Sequence, residues 1–425
     1  MEGLHSLRLT KLRHGRKRRV ARKKIRVSSV DEKKTKDNLV KKMARSAFRK
    51  SNRSKSVRDL GIAALRNLPS NIATVRSFMK AVDWRQAHGE VLEGLNHTIV
   101  IVGQPNTGKS TLFNMLKGEQ LSPVSPEAGT TKSLVRTDFG PFTLIDTPGH
   151  LPELMESGMD QASVIVLLID ATKGLQDKDR ELYETVKKME KPTIIAVNKV
   201  DALKGGESGD RIANEVAVML NVPGVIPVSA RTGANVAEEL IPAVIEASPD
   251  AALVIGRELP AYRQQAAQRI IRNATLVSLA AGFEPIPLID IPIILGTQLR
   301  LVLRIGALFG ESMDTTESMK HARELIVTLV TGAGLRYLAE QVAKAVPIGG
   351  DFVAGAIAGA GTWAIGQVAL EYYEGGKQIS PNRMRELYNE FYHRFRKQRS
   401  TDELRQYAVT GNDTALGLEG PKVSS

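Results

Sequence analysis

The sequence predicts an α/β domain, with a mostly parallel sheet and helices on both faces, followed by an all-α domain. Three observations carry this expectation. Apolar runs of strand length (98–102, 142–146, 163–170, 193–198 and 225–229) alternate with helix-period segments, as βα units require. The first run passes directly into a glycine-rich loop and then a helical pattern. Beyond Ser248-Pro249-Asp250 the alternation stops and long apolar segments begin.

Composition bounds the rest. A chain of 425 residues with 42% hydrophobic residues can bury sizeable cores. The absence of cysteine excludes a disulfide scaffold, thiolate metal sites and a cysteine nucleophile, and fits a reducing cytoplasm. The net charge of +13 is uneven: residues 1–60 hold 22 Lys/Arg against 5 Asp/Glu, so the other 365 residues sum to −4. That basic tail has no apolar stretch able to act as a signal-peptide core. Its readings are a solvated arm, a nucleic-acid arm or a patch for anionic lipid. The expected organisation is a disordered tail over 1–60, a helical lead-in over 61–96, the α/β domain over 97–250, an apolar helical domain over 251–400 and a disordered tail over 401–425.

The lead-in carries helix-period apolar positions (Leu60, Ala63, Leu65 and Leu68, then Ile72, Val75, Phe78, Met79 and Val82), broken at Leu68-Pro69-Ser70-Asn71. The first strand then opens into Gly103-Gln-Pro-Asn-Thr-Gly108-Lys109-Ser110-Thr111, which satisfies the phosphate-loop pattern GxxxxGK[ST]. Glycines let successive N–H groups converge on phosphate oxygens, and the helix starting at Lys109 adds its positive dipole end. Lys109 is expected to reach the β/γ-phosphates and the Ser110 hydroxyl to ligate Mg²⁺.

Later strand ends supply what a nucleotide site needs, where open α/β sheets bind ligands. Phe142-Thr-Leu-Ile-Asp146-Thr-Pro-Gly149 sets a carboxylate for Mg²⁺ and an N–H for a γ-phosphate. Ala128-Gly129-Thr130-Thr131 reads as a loop whose threonine closes on the metal, with the choice between Thr130 and Thr131 open. In Asn198-Lys199-Val200-Asp201 the Asp201 carboxylate can accept from guanine N1–H and its exocyclic amine, a donor pair that adenine lacks. Ser229-Ala230 can present a backbone N–H to guanine O6.

GQPNTGKS, AGTT, DTPG, NKVD and SA, in that order over residues 97–247, resemble the Era/EngA/MnmE-like bacterial P-loop GTPases. The resemblance implies a GTP-hydrolysing domain using Mg²⁺. It also implies nucleotide contacts from Gly103, Asn106, Thr107, Gly108, Lys109, Ser110, Thr111, Asp146, Gly149, Asn198, Lys199, Asp201, Ser229 and Ala230. Metal ligands are expected at Ser110, Thr131 and Asp146, and catalytic roles at Lys109, Thr131 and His150. Asn106 either helps hold K⁺, as in some relatives, or shapes the turn. His150 stands where Era-like relatives usually carry an apolar residue, and either orients the attacking water or is a surface histidine of the switch loop.

The C-terminal half is apolar. Residues 274–283 lead into Glu284-Pro-Ile-Pro-Leu-Ile-Asp290-Ile-Pro292, whose prolines forbid one continuous straight helix. A helix-period segment then runs to Phe309 with Arg300 and Arg304 on one face. Residues 352–370 hold nineteen uncharged residues, including the small-xxx-small pair Gly355 and Gly359. The region resembles the poorly characterised, membrane-associated helical domain that follows some Era-like GTPase domains. Membrane lipid is therefore an expected partner, with spanning, surface binding and a soluble bundle open. The alternatives are an RNA- or ribosome-associated assembly GTPase that uses the basic tail and a membrane scaffold whose assembly the nucleotide controls. Near the C-terminus, Tyr388, Phe391, Tyr392 and Phe395 form an aromatic stripe expected to be a packing face.

Overall fold

The computed structural model describes residues 84–118, 135–146, 162–282, 290–311, 316–329 and 351–398. The basic tail, the lead-in before Trp84, Thr130, Thr131, Gly149, His150 and residues 401–425 lie outside the described residues.

The first half builds α1 (Trp84–Leu95), β1 (Thr98–Gly103), α2 (Lys109–Gly118), β2 (Val135–Phe139), β3 (Phe142–Asp146), β4 (Ala162–Asp170), α3 (Asp177–Lys188), β5 (Thr193–Asn198), α4 (Gly209–Leu220), β6 (Ile226–Pro227) and α5 (Ile241–Ala247). The strands lie in the order β2-β3-β1-β4-β5-β6. All pairings are parallel except β2 with β3, so β2 is an antiparallel edge that apolar patterning does not reveal. The chain moves to one side of β1 for β3 and β2 and then crosses back for β4. The loop after β1 therefore sits at the switch point of the sheet, where α/β folds bind ligands.

Strand periodicity divides the core into two faces. Val100, Val102, Ile165, Leu167, Ile169, Ile195 and Val197 point to one side, where Leu182 and Val186 of α3 and Ile212, Val216 and Leu220 of α4 cover them. Ile99, Ile101, Val164, Val166, Leu168 and Ala196 point to the other, against Leu112, Phe113 and Leu116 of α2 and Val244 and Ile245 of α5.

That second core does not stop at the sheet. It continues through α6 (Pro249–Glu258), α7 (Arg263–Gly282), α8 (Asp290–Leu308), α9 (Thr316–Leu329), α10 (Asp351–Glu374) and α11 (Pro381–Gln398). Helix α6 is the joint. Its N-cap Ser248 Oγ accepts from the Asp250 and Ala251 N–H groups, Pro249 takes the first turn, and Ala251, Leu253 and Ile255 are fully buried. Helix α6 packs on β1 and β4 as well as on α1, α7 and α8.

Helix α10 explains the uncharged run at 352–370. Residues 355–370 are buried, and α7, α8, α9 and α11 pack around the helix. An all-round apolar helix is buried on every side, here by its neighbouring helices. Its glycines permit close approach: a Cβ on Gly359 would meet Leu279 Cγ at 2.4 Å, and one on Gly366 would meet Ile271 Cγ1 at 2.7 Å. Among the described residues no helix is long and apolar enough to cross a membrane. The aromatic stripe does pack inward, with Phe391 and Phe395 against Trp363 at ring-centroid distances of 5.9 and 5.4 Å. Polar pairs set the helix register: Gln268 and Gln367 exchange amide hydrogen bonds, while Gln298 donates to Thr362 Oγ1 and Thr362 to Ser278 Oγ.

Candidate nucleotide site

The loop between β1 and α2 is held open by glycines at both ends. A Cβ on Gly103 would lie 2.4 Å from the Leu168 carbonyl oxygen, because β1 and β4 pair at that residue. Gly108 has φ +93°, and a Cβ there would lie 2.2 Å from Asn198 Nδ2. Both positions demand glycine, as backbone-lined phosphate loops do. Asn106 adopts the left-handed region at φ 65°, which suits asparagine and gives it a turn-shaping role.

Lys109 opens α2 and is buried, yet its ammonium donates to the carbonyl oxygens of Gly103 at 3.0 Å and Gln104 at 3.1 Å. The lysine folds back over the loop, with its charge on the backbone that would flank a phosphate. Thr107 Oγ1 also donates to the Gln104 carbonyl, at 2.9 Å. Ser110 and Thr111 are exposed in the first turn of α2, where orphan N–H groups and the helix dipole favour anions.

The end of β5 meets this loop and links it to the segment after β6. Asn198, at the end of β5 and 1% exposed, donates from Nδ2 to the Thr107 carbonyl at 2.8 Å and accepts the Ala230 N–H on Oδ1 at 2.8 Å. Its buried amide thus ties loop, β5 and the segment after β6 together. The Ala230 N–H, expected to meet a base oxygen, is used to orient Asn198. The Ser229 N–H is donated to the Ala234 carbonyl. Ser229 serves the site through its side chain instead, donating from Oγ to Asp201 Oδ1 at 2.6 Å.

Asp201 Oδ2 meets Arg231 at 2.5 Å. The Ser229 hydrogen bond, against a smaller opposing effect of burial, and the Arg231 charge hold the Asp201 carboxyl below the usual range. An ionised carboxylate with two accepting oxygens is what a paired N–H donor edge requires. Lys199, at φ 70°, reaches from β5 to the Asn106 carbonyl and to Asp170. Asp146 is placed by its backbone as the last residue of β3, paired with Val135.

Sequence reasoning missed three contributors. Gln104 donates from Nε2 to the Lys178 carbonyl at 3.0 Å and so fastens the loop to α3. Arg231 follows Ser229-Ala230 and faces Asp201. Asp170 ends β4, and a carboxylate at the carboxyl end of a central strand was the available signal for it.

A parallel sheet with a glycine-bounded phosphate loop at its switch point, joined to an Asn-Lys-Val-Asp loop and a Ser-Ala loop, defines a P-loop GTPase fold. The family assignment agrees. Residues 98–199 match the family described as 50S ribosome-binding GTPase, and residues 251–397 match a "Domain of unknown function (DUF697)". GTPase Era of Aquifex aeolicus is 32% identical over 171 residues, covering 36% of this chain and 56% of the relative. GTPase Der of Clostridium novyi is 29% identical over 253 residues, covering 56% of this chain and 52% of the relative. The chain thus spans about half the length of these two curated relatives. Among solved structures, a probable GTP-binding protein engB is 26% identical, covering 35% of this chain and 97% of that one, with a TM-score of 0.28. Residues 98–199 are thus similar to a GTPase family that includes relatives named Era and Der, and residues 251–397 to a domain of unknown function.

Proposed function

We propose that this protein binds GTP at the Gly103–Ser110 loop and hydrolyses it to GDP and phosphate, acting as a nucleotide-dependent switch. The observation that carries the reading is the Asn198 amide, which joins the phosphate loop to the Ser229-Ala230 segment beside Asp201. In this reading Asp201 accepts from guanine N1–H and its amine, with Arg231 yielding its oxygen. Lys109 exchanges loop carbonyls for β/γ-phosphate oxygens. The work of the site is positioning and charge neutralisation, as phosphoryl transfer requires.

Magnesium, when bound, neutralises phosphate charge and orients the phosphates. The exposed Ser110 hydroxyl beside the phosphate loop fits a ligand role, and Asp146 and Thr131 complete the proposed set. His150 is proposed to orient water. Asn106 already has a turn role, so K⁺ remains its second assignment.

For the place of action, the family description names the 50S ribosome, and the tail of 22 Lys/Arg supplies the charge that RNA phosphates take. That favours ribosomal RNA as partner. The alternative is the tail resting on anionic lipid, now without an exposed α10 to assist it.

The test is phosphate release by the full chain with GTP or ATP, with and without magnesium. Magnesium-dependent release from GTP alone supports the proposal. Equal release from ATP, or none from GTP alongside no GTP binding, would sink it.

A further inference from the structure

The end of β4 holds a carboxylate that none of the nucleotide motifs includes. Asp170 is 3% exposed and lies opposite Asn198 in the last pair of the β4–β5 ladder, where the Ala171 N–H also bonds to the Asn198 carbonyl at 2.8 Å. Its two oxygens face different partners. Oδ1 accepts from the Thr172 N–H at 3.0 Å and the Thr172 hydroxyl at 2.7 Å, which fixes the carboxylate plane. Oδ2 is thereby left aimed at Lys199 Nζ, 2.6 Å away.

Lys199 takes up this position just past the end of β5. Its backbone is left-handed, φ 70°, a region that costs a non-glycine residue and persists only where surroundings hold it. The surroundings are visible at the ammonium, which bonds at once to Asp170 and to the Asn106 carbonyl of the phosphate loop. A Cβ on Gly108 would come within 3.9 Å of Lys199 Cε, so the lysine stem runs across the loop. One end of that stem is tied to Asn198 and Asp201 by sequence and the other to the phosphate loop. Burial alone would raise the Asp170 carboxyl, but hydrogen bonds from Lys199 and Thr172 bring it below its usual value.

We propose that Asp170 is a positioning residue of the nucleotide site. It holds the Lys199 stem across the phosphate loop and thereby sets how slowly guanine nucleotide leaves. Asp170 touches no nucleotide in this scheme and acts only through Lys199. The inference rests on the guanine-nucleotide reading of the site.

The experiment follows release of fluorescent GDP from the full chain and from Asp170→Asn, Lys199→Met, the double variant and Thr172→Val. Asparagine keeps an acceptor for Thr172 but turns an amide donor or a weaker acceptor toward the ammonium. Asp170→Asn is expected to speed release roughly tenfold, the size of a charged hydrogen bond lost. The double variant should then release no faster than Lys199→Met alone, since residues in one chain of action do not add. Thr172→Val removes one of the two donors to Asp170 Oδ1 but keeps the Thr172 N–H bond and the Lys199 pair, so it should stay within about twofold.

Asp170→Asn at the wild-type rate while folded overturns the proposal, as do additive effects or a Thr172→Val rate as fast as that of Asp170→Asn. Asp170→Ser is the second variant. If both Asp170 variants lose the circular-dichroism spectrum that Lys199→Met retains, the residue is structural and the proposal falls. A wild-type chain that binds no labelled GDP instead contradicts the guanine-nucleotide reading, whereas wild-type binding with an unaffected Asp170→Asn contradicts this inference alone.

Discussion

The two faces of the sheet are sealed differently. On one, α3 and α4 close a small core confined to the GTPase fold, as a doubly wound domain needs. On the other, the strands share a core with α1, α5, α6 and the bundle through α11. The boundary between the two matched families, at residues 199 and 251, is therefore not a boundary in packing. A domain whose sheet is completed by the next domain's helices is coupled to it through buried contacts.

Two arginine–carboxylate pairs and a histidine contact reinforce this seam. Arg304 of α8 donates to Asp250 of α6 at 2.7 Å, and His97, just before β1, stands 3.4 Å from the other Asp250 oxygen. Arg300, one turn earlier on α8, pairs with Glu90 of α1. Each is partly buried, so the contribution comes mainly from leaving no charge unpaired.

The largest expected effect comes from emptying the shared core. Leu253→Ala on α6 should destabilise the protein by about 3–5 kcal/mol, because Leu253 is fully buried in the core that sheet and bundle share. Leu182→Ala on α3, in the smaller core and closer to solvent, should cost roughly 2–3 kcal/mol. Urea melts of both variants check the order, and a reversed order would break the contrast between the faces.

Next comes Asp250→Ala, which removes the acceptor of Arg304 and should cost about 1–3 kcal/mol in the same melts. A pH dependence sharpens this. Burial alone would raise the Asp250 carboxyl, but His97 and Arg304 together bring it below its ordinary 3.8. Its contribution is therefore complete above about pH 4 and is lost as pH falls through the lowered folded value. Asp250→Asn should flatten that part of the stability profile, and a profile parallel to wild type below pH 4 would remove Asp250 from the seam.

The smallest effect is expected on the outer surface of α4. Val218 is 80% exposed, and Val218→Thr should change stability by less than about 0.5 kcal/mol. A larger loss would mean that this face packs on something beyond the two cores.

The strands at 98–103, 142–146, 162–170 and 193–198 were legible because buried parallel strands are nearly continuous apolar runs. β2 was not, because Val135-Arg-Thr-Asp-Phe139 carries the polar residues of an edge. The Asn198 and Asp201 loops were readable from spacing, but the roles of Ala230 and Asp170 were not. Their partners lie far away in sequence: the β5–β6 pairing brings Ala230 to Asn198, and the β4–β5 register brings Asp170 to Lys199. The run at 352–370 shows the limit most plainly: composition gives apolarity, while what covers it depends on α7, α8, α9 and α11. The charges at 300 and 304 were seen on one face, but not that Glu90 and Asp250 await them.

Cooperative unfolding of the full chain tests most directly whether GTPase fold and bundle are one unit. Urea unfolding would be followed by release of fluorescent GDP, which reports the sheet end, and by emission of the two tryptophans, Trp84 in α1 and Trp363 in α10, which report the shared core. A shared core predicts coincident transitions with one midpoint. GDP release complete at a urea concentration where tryptophan emission remains native, or the reverse, would show two independent domains and contradict it.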